Sequence, residues 1–266
     1  MDASMAQKLA GHVALITGGG GEIGRAIALT LAAEGASLVA SDMDAEKAEE
    51  TARQIRQAGG KAVALGGSIA DPETSIKAVK LAVTQFGKLT ILVNAAATVT
   101  EDGRAEDISL EDWNRTLSVN LTGVFLACKY AMPAMRNAGD GRVVNITSQL
   151  GQIGVPLRSP YTTTKAALMQ FTRCLAVDYA EFNIRANSLS PGGIDTERRM
   201  RRFSNRDEAR AARGPLYLLG RLGTAQEVAN ATLFLVSDDA SFVTGTDLLC
   251  DGGYLAFKGK TTDNGS

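Results

Sequence analysis

Seven short apolar runs punctuate the chain, at residues 13–17 (VALIT), 37–41 (SLVAS), 61–65 (KAVAL), 89–94 (LTILVN), 142–147 (RVVNIT), 184–190 (IRANSLS) and 246–251 (TDLLCD). Between them lie longer stretches, 23–34, 45–58, 72–86, 110–136, 161–182 and 225–236, in which apolar residues recur near a 3.6-residue period, as at Leu168, Phe171, Leu175 and Tyr179. Most of the runs are apolar nearly throughout rather than alternating, as strands are when both faces are covered. Regular strand–helix alternation requires crossover connections, which are right-handed. The pattern therefore predicts an α/β fold: one doubly wound, seven-stranded parallel sheet with helices on both faces, in a single domain.

The first run leads straight into Thr17-Gly18-Gly19-Gly20-Gly21-Glu22-Ile23-Gly24 and then a helical stretch. Glycines allow a sharp turn, and a helix N-terminus presents free N–H groups and the positive end of its dipole to a pyrophosphate. The chain holds 28 glycines, where average usage gives about 19 for its length; part of that surplus sits at this turn. Asp42 directly follows the second run, about 20 residues further on, where a carboxylate accepts from a ribose diol and repels a 2′-phosphate. Met43 follows it, and no basic residue lies inside the turn. The charge pattern predicts NAD, with NADP disfavoured. Asp44 is the better helix cap, which leaves Asp42 for the ribose.

A single histidine, His12, excludes a multi-histidine metal site and leaves proton chemistry to other side chains. Such chemistry is available at Tyr161-Thr162-Thr163-Thr164-Lys165, with Ser148 and Asn120 upstream. Tyr161 and Lys165 are spaced i, i+4, on one helix face. A free phenol titrates near about 10, and a neighbouring ammonium stabilises the phenolate, so a tyrosine so placed can exchange a proton with an alcohol or carbonyl. Ser148 would hydrogen-bond the substrate oxygen.

These residues, with the turn at 17–24, Asn94 at a strand end and Ser190-Pro191-Gly192, resemble the short-chain dehydrogenase/reductase family over residues 11–254. The resemblance implies a Rossmann-type fold and hydride transfer between a nicotinamide and a secondary alcohol or ketone. It casts Tyr161 as general acid–base, Lys165 as holding the nicotinamide ribose as well, and Asn120 as supporting a water chain. It also implies cofactor contacts at Gly18, Gly21, Glu22, Ile23, Gly24, Asp42, Ser68, Ile69, Asn94, Pro191, Gly192, Ile194 and Thr196, and a homotetramer packed through the last strand. Three positions depart from the family pattern. Glu22 stands where a glycine is usual, Ala95-Ala96-Ala97 follows Asn94 in place of Asn-Ala-Gly, and Ser68 replaces an aspartate. Glu22 is expected to point outward and to weaken cofactor binding slightly.

The domain reading follows: residues 1–10 as an extension, 11–257 as a dinucleotide-binding catalytic domain, and 258–266 as a polar tail. The arginine-rich insertion 192–214 is read as a substrate lid. A net charge of −1 argues against nucleic acid, and no apolar run reaches the length of a membrane span. The N-terminus lacks the apolar core of a signal peptide, so a cytoplasmic enzyme is expected. Cys128, Cys174 and Cys250 are unpaired by spacing and are expected to pack as small hydrophobes. The substrate stays open among sugars, polyols, oxoacyl groups, steroids and anionic alcohols, the last suggested by Arg158, Arg198, Arg199, Arg201 and Arg202. Two other readings stay open as well: a non-catalytic NAD-sensing or scaffold protein on this fold, and a 3-oxoacyl-type reductase using NADPH. His12 is expected to be structural.

Overall fold

A computed structural model describes residues 7–99, 103–197 and 203–256. The strands are β1 (Val13–Thr17), β2 (Ser37–Asp42), β3 (Ala62–Gly66), β4 (Ile91–Asn94), β5 (Gly141–Ile146), β6 (Ile184–Pro191) and β7 (Asp247–Cys250). They form one sheet in the order β3-β2-β1-β4-β5-β6-β7, every pair parallel. The winding reverses between β1 and β4. At such a switch point the loops leaving the carboxyl ends diverge and open a crevice.

Successive strand residues feed opposite cores. Ala14 and Ile16 pack with Ile27 and Leu31 of α1 (Glu22–Ala33) and Val228 and Leu235 of α8 (Ala225–Val236). Val13 and Leu15 face the other side, where Ala78 of α3 (Pro72–Phe86), Met132 of α5 (Gly123–Ala138) and Leu168 of α6 (Ser159–Tyr179) close over them. Each fully buried leucine or isoleucine contributes about 1.5–3 kcal/mol, so both layers are needed to hold the sheet. The remaining helices are α2 (Ala45–Gln57), α4 (Leu110–Leu117) and α7 (Arg206–Arg213). Asp44, Asp71 and Ser109 cap α2, α3 and α4; the cap expected at Asp44 is present.

At the carboxyl end of the sheet a polar rung crosses adjacent strands. Thr17 pairs in register with Asn94, Asn94 with Asn145, and Asn145 with Ser188. The Thr17 hydroxyl donates to Asn94 Oδ1 (3.4 Å), Asn94 Nδ2 to Asn145 Oδ1 (2.9 Å), and Asn145 Nδ2 to Thr172 Oγ1 on α6 (2.9 Å).

The stretch 110–136, read as one helix, stays helical in backbone but widens midway. A π-turn at Ser118–Thr122 separates α4 from α5, and the Gly123 N–H bonds to the Ser118 carbonyl five residues back. The widened turn carries the fully buried Asn120, whose amide accepts from Thr98 N (2.7 Å) and donates to Thr98 O (2.9 Å). Holding the loop after β4 in this way outweighs regular helical bonding there. Cys174 is a second correction: it is exposed on α6, whereas Cys128 is buried and its thiol is pushed up to about 12 by desolvation. His12 is structural: its Nδ1 lies 3.1 Å from Thr90 Oγ1, and burial holds its pKa below the usual value. No helix among the described residues is long and apolar enough to cross a membrane.

Thr224 and Glu227 close a capping box at the start of α8, and Arg221 pairs with Glu227 at 2.6 Å. The Arg221 guanidinium and the Thr224 N–H hold the Glu227 carboxyl down at about 2. A depressed folded-state value gives stability that is present above the ordinary carboxylate range and lost as pH falls through it. The pair is two-fifths to half exposed, so it has the worth of a surface bridge, about 0.5 kcal/mol. Glu227→Gln should lower Tm by about 1–2 °C at neutral pH. The difference from wild type should shrink as the pH drops from 4.5 toward about 2. Thermal unfolding across that range checks the sign.

Candidate active site

The glycine turn between β1 and α1 is held tightly from behind. Gly18 has φ +70, and a Cβ there would lie 2.6 Å from Ala96 N; a Cβ on Gly24 would collide with the Gly18 carbonyl. Close passage of the helix over the turn therefore requires glycine at both positions. Thr51 Oγ1 donates to Gly19 O (2.9 Å) and Arg25 to Gly20 O (3.1 Å). Asp42, at the end of β2, accepts from Gly20 N through Oδ2 and from Asp44 N through Oδ1, both at 3.0 Å. Unlike α2, α3 and α4, α1 has no side-chain cap: Gly21 stands at its N-cap, with Glu22, Ile23 and Gly24 as its first turn. A Cβ on Gly21 would meet nothing nearer than Gly18 O at 3.4 Å, so the turn is open on that side. An uncapped N-terminus, a turn open at Gly21 and a carboxylate at the next strand end fit a dinucleotide. Met43, beside Asp42, is 83% exposed.

The second half of the site forms where β5 ends. Ser148 caps the turn Gln149–Gly151; its Oγ accepts from Leu150 N at 3.2 Å, and the residue is buried. With that acceptance in place the hydroxyl hydrogen is still available for donation. Pro160 stands in the first turn of α6, where its missing N–H costs nothing, so the helix begins at Ser159 rather than at Tyr161. This places Tyr161 on the first turn and Lys165 one turn on. Lys165 is 2% exposed; its Nζ donates to Ile146 O at 2.7 Å and lies 5.7 Å from the Tyr161 ring centroid. The structure thus brings Ser148, Tyr161 and Lys165 together at the carboxyl edge of the sheet. Asn120 meets the same helix, with Nδ2 3.4 Å from Thr164 Oγ1.

Other expected contacts sit around this edge. Asn94 is 1% exposed, with its side chain spent inside the sheet on Asn145 and on Cys128 Sγ (3.6 Å). Ser68 is exposed after β3 and accepts from Ala70 N (3.3 Å), while the buried Ile69 packs on Gly123. Pro191 ends β6. Gly192 N donates to Cys250 O (2.9 Å), Ile194 bridges to Gly223, and Thr196 is partly exposed. Glu22 faces outward into the insertion, where it accepts from Glu197 N (2.7 Å) and lies 3.5 Å from Arg206. Arg210 of α7 grips Asp195 at 2.7 Å. Arg198, Arg199, Arg201 and Arg202 fall outside the described residues.

Sequence reading alone missed the braces Thr51 and Arg25 and the tie from Glu22 to the insertion. None of these carried a signal of its own.

A Rossmann-type sheet with a bare glycine turn at its switch point, and a serine, tyrosine and lysine at the same edge, defines a nucleotide-dependent oxidoreductase. The family model described as enoyl-(acyl carrier protein) reductase matches residues 20–255. The chain is 41% identical over 256 residues to the cyclohexanol dehydrogenase of Acinetobacter sp., covering 96% of this chain and 100% of that one. It is 40% identical over 244 residues to the cyclopentanol dehydrogenase of Comamonas testosteroni, covering 92% and 97%. The crystal structure of levodione reductase superposes with a TM-score of 0.89 at 31% identity, covering 93% of this chain and 99% of that one. The protein belongs to the short-chain dehydrogenase/reductase family.

Proposed function

We propose that the protein is an NAD-dependent dehydrogenase that interconverts an alicyclic secondary alcohol and its ketone, with Tyr161 as general acid–base. The placement of Ser148 and the Tyr161–Lys165 pair at the same carboxyl edge of the sheet as the glycine turn carries this reading. The alicyclic ring comes from the cyclohexanol and cyclopentanol dehydrogenases that match along nearly their whole length.

NAD supplies the hydride acceptor in alcohol oxidation, and NADH the donor in ketone reduction. Gly18, Gly21, Ile23 and Gly24 present backbone to its pyrophosphate; Asp42 receives the adenosine ribose; Pro191, Gly192, Ile194 and Thr196 line the nicotinamide end. Ser148 donates to the substrate oxygen, which fixes that atom and steadies charge developing on it. Tyr161 takes the hydroxyl proton in oxidation and returns it in reduction. Lys165, anchored on Ile146 O, supports negative charge on the ring oxygen of Tyr161. The Asn120 side chain is committed to Thr98, so it acts by holding the loop after β4 at the site entrance. Exposed apolar side chains mark two faces suited to a homotetramer: Phe125 and Val177 on α5 and α6, and Phe234, Phe242 and Leu249 around α8 and β7.

The test is a panel of cyclohexanol, cyclopentanol and acyclic secondary alcohols with NAD and NADP, followed by nicotinamide absorbance. The expected result is turnover of the cyclic alcohols with NAD; no turnover of any of them sinks the proposal. Glu22 gives a second check. Its carboxylate stands in the first turn of the helix proposed to receive a pyrophosphate. Glu22→Gly should tighten NAD binding by about two- to five-fold, as expected for one partly exposed charge. The gain should shrink as salt screens that charge. Unchanged or weaker binding in a fluorescence titration counts against this placement.

A further inference from the structure

The register that carries the polar rung continues past Ser188, which pairs with Asp247 at the start of β7. This edge strand is otherwise Leu248-Leu249-Cys250, yet it opens on a carboxylate that gathers donors from three parts of the chain. Asp247 Oδ1 accepts from Ser188 (2.5 Å), and its two oxygens accept from Ser190 (3.0 and 2.9 Å), both on β6. Thr147, the residue after β5, reaches Asp247 Oδ1 at 3.2 Å and Ser190 Oγ at 2.8 Å. Gln152 donates through Nε2 to Asp247 Oδ2 at 2.6 Å. Thr147, Ser188 and Ser190 are buried, whereas Gln152 is exposed and Asp247 is half-buried.

Thr147 and Gln152 stand on either side of the turn that Ser148 caps, Gln149–Gly151. One carboxylate therefore holds both ends of the segment carrying Ser148, from 100 and 95 residues away in sequence. An ionised carboxylate has about four acceptor sites, enough for the hydroxyl and amide hydrogens aimed at it. Hydrogen bonds to an ionised acceptor are also shorter and stronger than neutral ones. Packing alone does not call for such a cluster, because apolar side chains at 188, 190 and 247 would fill the strands without the cost of burying polar groups. What the cluster delivers is a fixed position for Ser148.

We propose that Asp247 is a positioning residue for the reaction. By tying down Thr147 and Gln152 it fixes the turn that carries Ser148, and through Ser148 the place of the substrate oxygen relative to Tyr161. The proposal rests on reading the site as an alcohol dehydrogenase in which Ser148 donates to that oxygen. Asp247 acts indirectly, through hydrogen bonds to other residues of the chain. A misplacement of about 1 Å costs on the order of 10²-fold in rate. A loosened turn should therefore show in kcat before it shows in substrate or cofactor affinity.

The experiment measures kcat and KM for whichever alcohol of the panel wild type turns over best, with NAD titration and thermal unfolding alongside. The variants are Asp247→Asn, Gln152→Ala, Gln152→Glu and the double variant Asp247→Asn with Gln152→Glu. An amide accepts through one oxygen only, so Asp247→Asn cannot serve both Gln152 and the serines. Its kcat should fall about ten-fold, with KM and NAD affinity within about three-fold of wild type. Gln152 is exposed, so Gln152→Ala should melt with wild type and still lose about three-fold in kcat. Gln152→Glu sets two carboxylates across the 2.6 Å contact and should lose as much as Asp247→Asn. The double variant restores an N–H···O bond with donor and acceptor exchanged, and its kcat should return to within about three-fold of wild type. An unchanged kcat in either Asp247→Asn or Gln152→Ala overturns the proposal and leaves the dehydrogenase reading standing. So does a double variant no faster than Asp247→Asn, or a loss of NAD affinity that matches the loss in kcat. Should Asp247→Asn fail to fold, Gln152→Ala decides alone. No turnover of any alcohol by wild type removes both readings together.

Discussion

Tyr161→Phe should lower kcat by about three orders of magnitude and leave NAD affinity within two-fold of wild type. Only the hydroxyl is removed: the ring keeps its place on the first turn of α6, 5.7 Å from the Lys165 ammonium. Positioned general acid–base groups are worth about 10²–10⁴ in rate, and with a single histidine in the chain no spare imidazole stands ready to substitute. Binding should survive because the pyrophosphate end of the site lies at the glycine turn, on other elements. Steady-state kinetics with cyclohexanol, beside a fluorescence titration of NAD, separate the two effects. A variant that keeps a tenth or more of wild-type kcat would remove Tyr161 from the chemistry. A wild type that binds NAD and turns nothing over would favour the sensing or scaffold reading.

The second large effect concerns the nucleotide. Wild type should prefer NAD over NADP by at least about 10²-fold in kcat/KM, and Asp42→Ala with Met43→Arg should reverse that preference. A carboxylate about 4 Å from a phosphate charge costs on the order of 4 kcal/mol at an effective dielectric of 20, equivalent to about three orders of magnitude. Met43 is well placed for the cation because it is exposed. Asp42 also has a structural duty, since its two oxygens hold Gly20 N and Asp44 N. The alanine variant should therefore lose affinity for NAD more than charge alone dictates. Asp42→Asn, which keeps an acceptor but drops the charge, separates the contributions: it should raise NADP use while disturbing the turn less. A wild type that uses NADP equally well refutes the charge argument.

Much of this architecture could be read from the residues in order. The sheet was legible because strands covered on both faces are apolar throughout, and runs such as Val13–Thr17 reappear as strands with shifts of only a residue or two at other ends. The glycine turn and the Tyr161–Lys165 pair were legible because both are local in sequence. What escaped depends on distant partners. The π-turn at Ser118–Thr122 goes with Asn120 reaching Thr98, a contact that no helical period encodes. Glu22 could be placed on the outside of the turn, but its bond to Glu197 N spans 175 residues. The exposure of Cys174 follows from the rotation of α6 about its own axis, which composition does not report.

That rotation is controlled by the polar rung inside the sheet. Apolar faces tolerate a helix that slides or rolls, since one leucine contact is easily traded for another. The chain of hydrogen bonds from Thr17 through Asn94 and Asn145 to Thr172 does not, because each acceptor has one geometric solution. Thr172 lies seven residues beyond Lys165, close to two helical turns, and so projects from nearly the same face. The rung therefore works as an indexing pin. It sets the angular position of α6 from a point deep in the protein, and the aim of the tyrosine and lysine is inherited from residues inside the sheet.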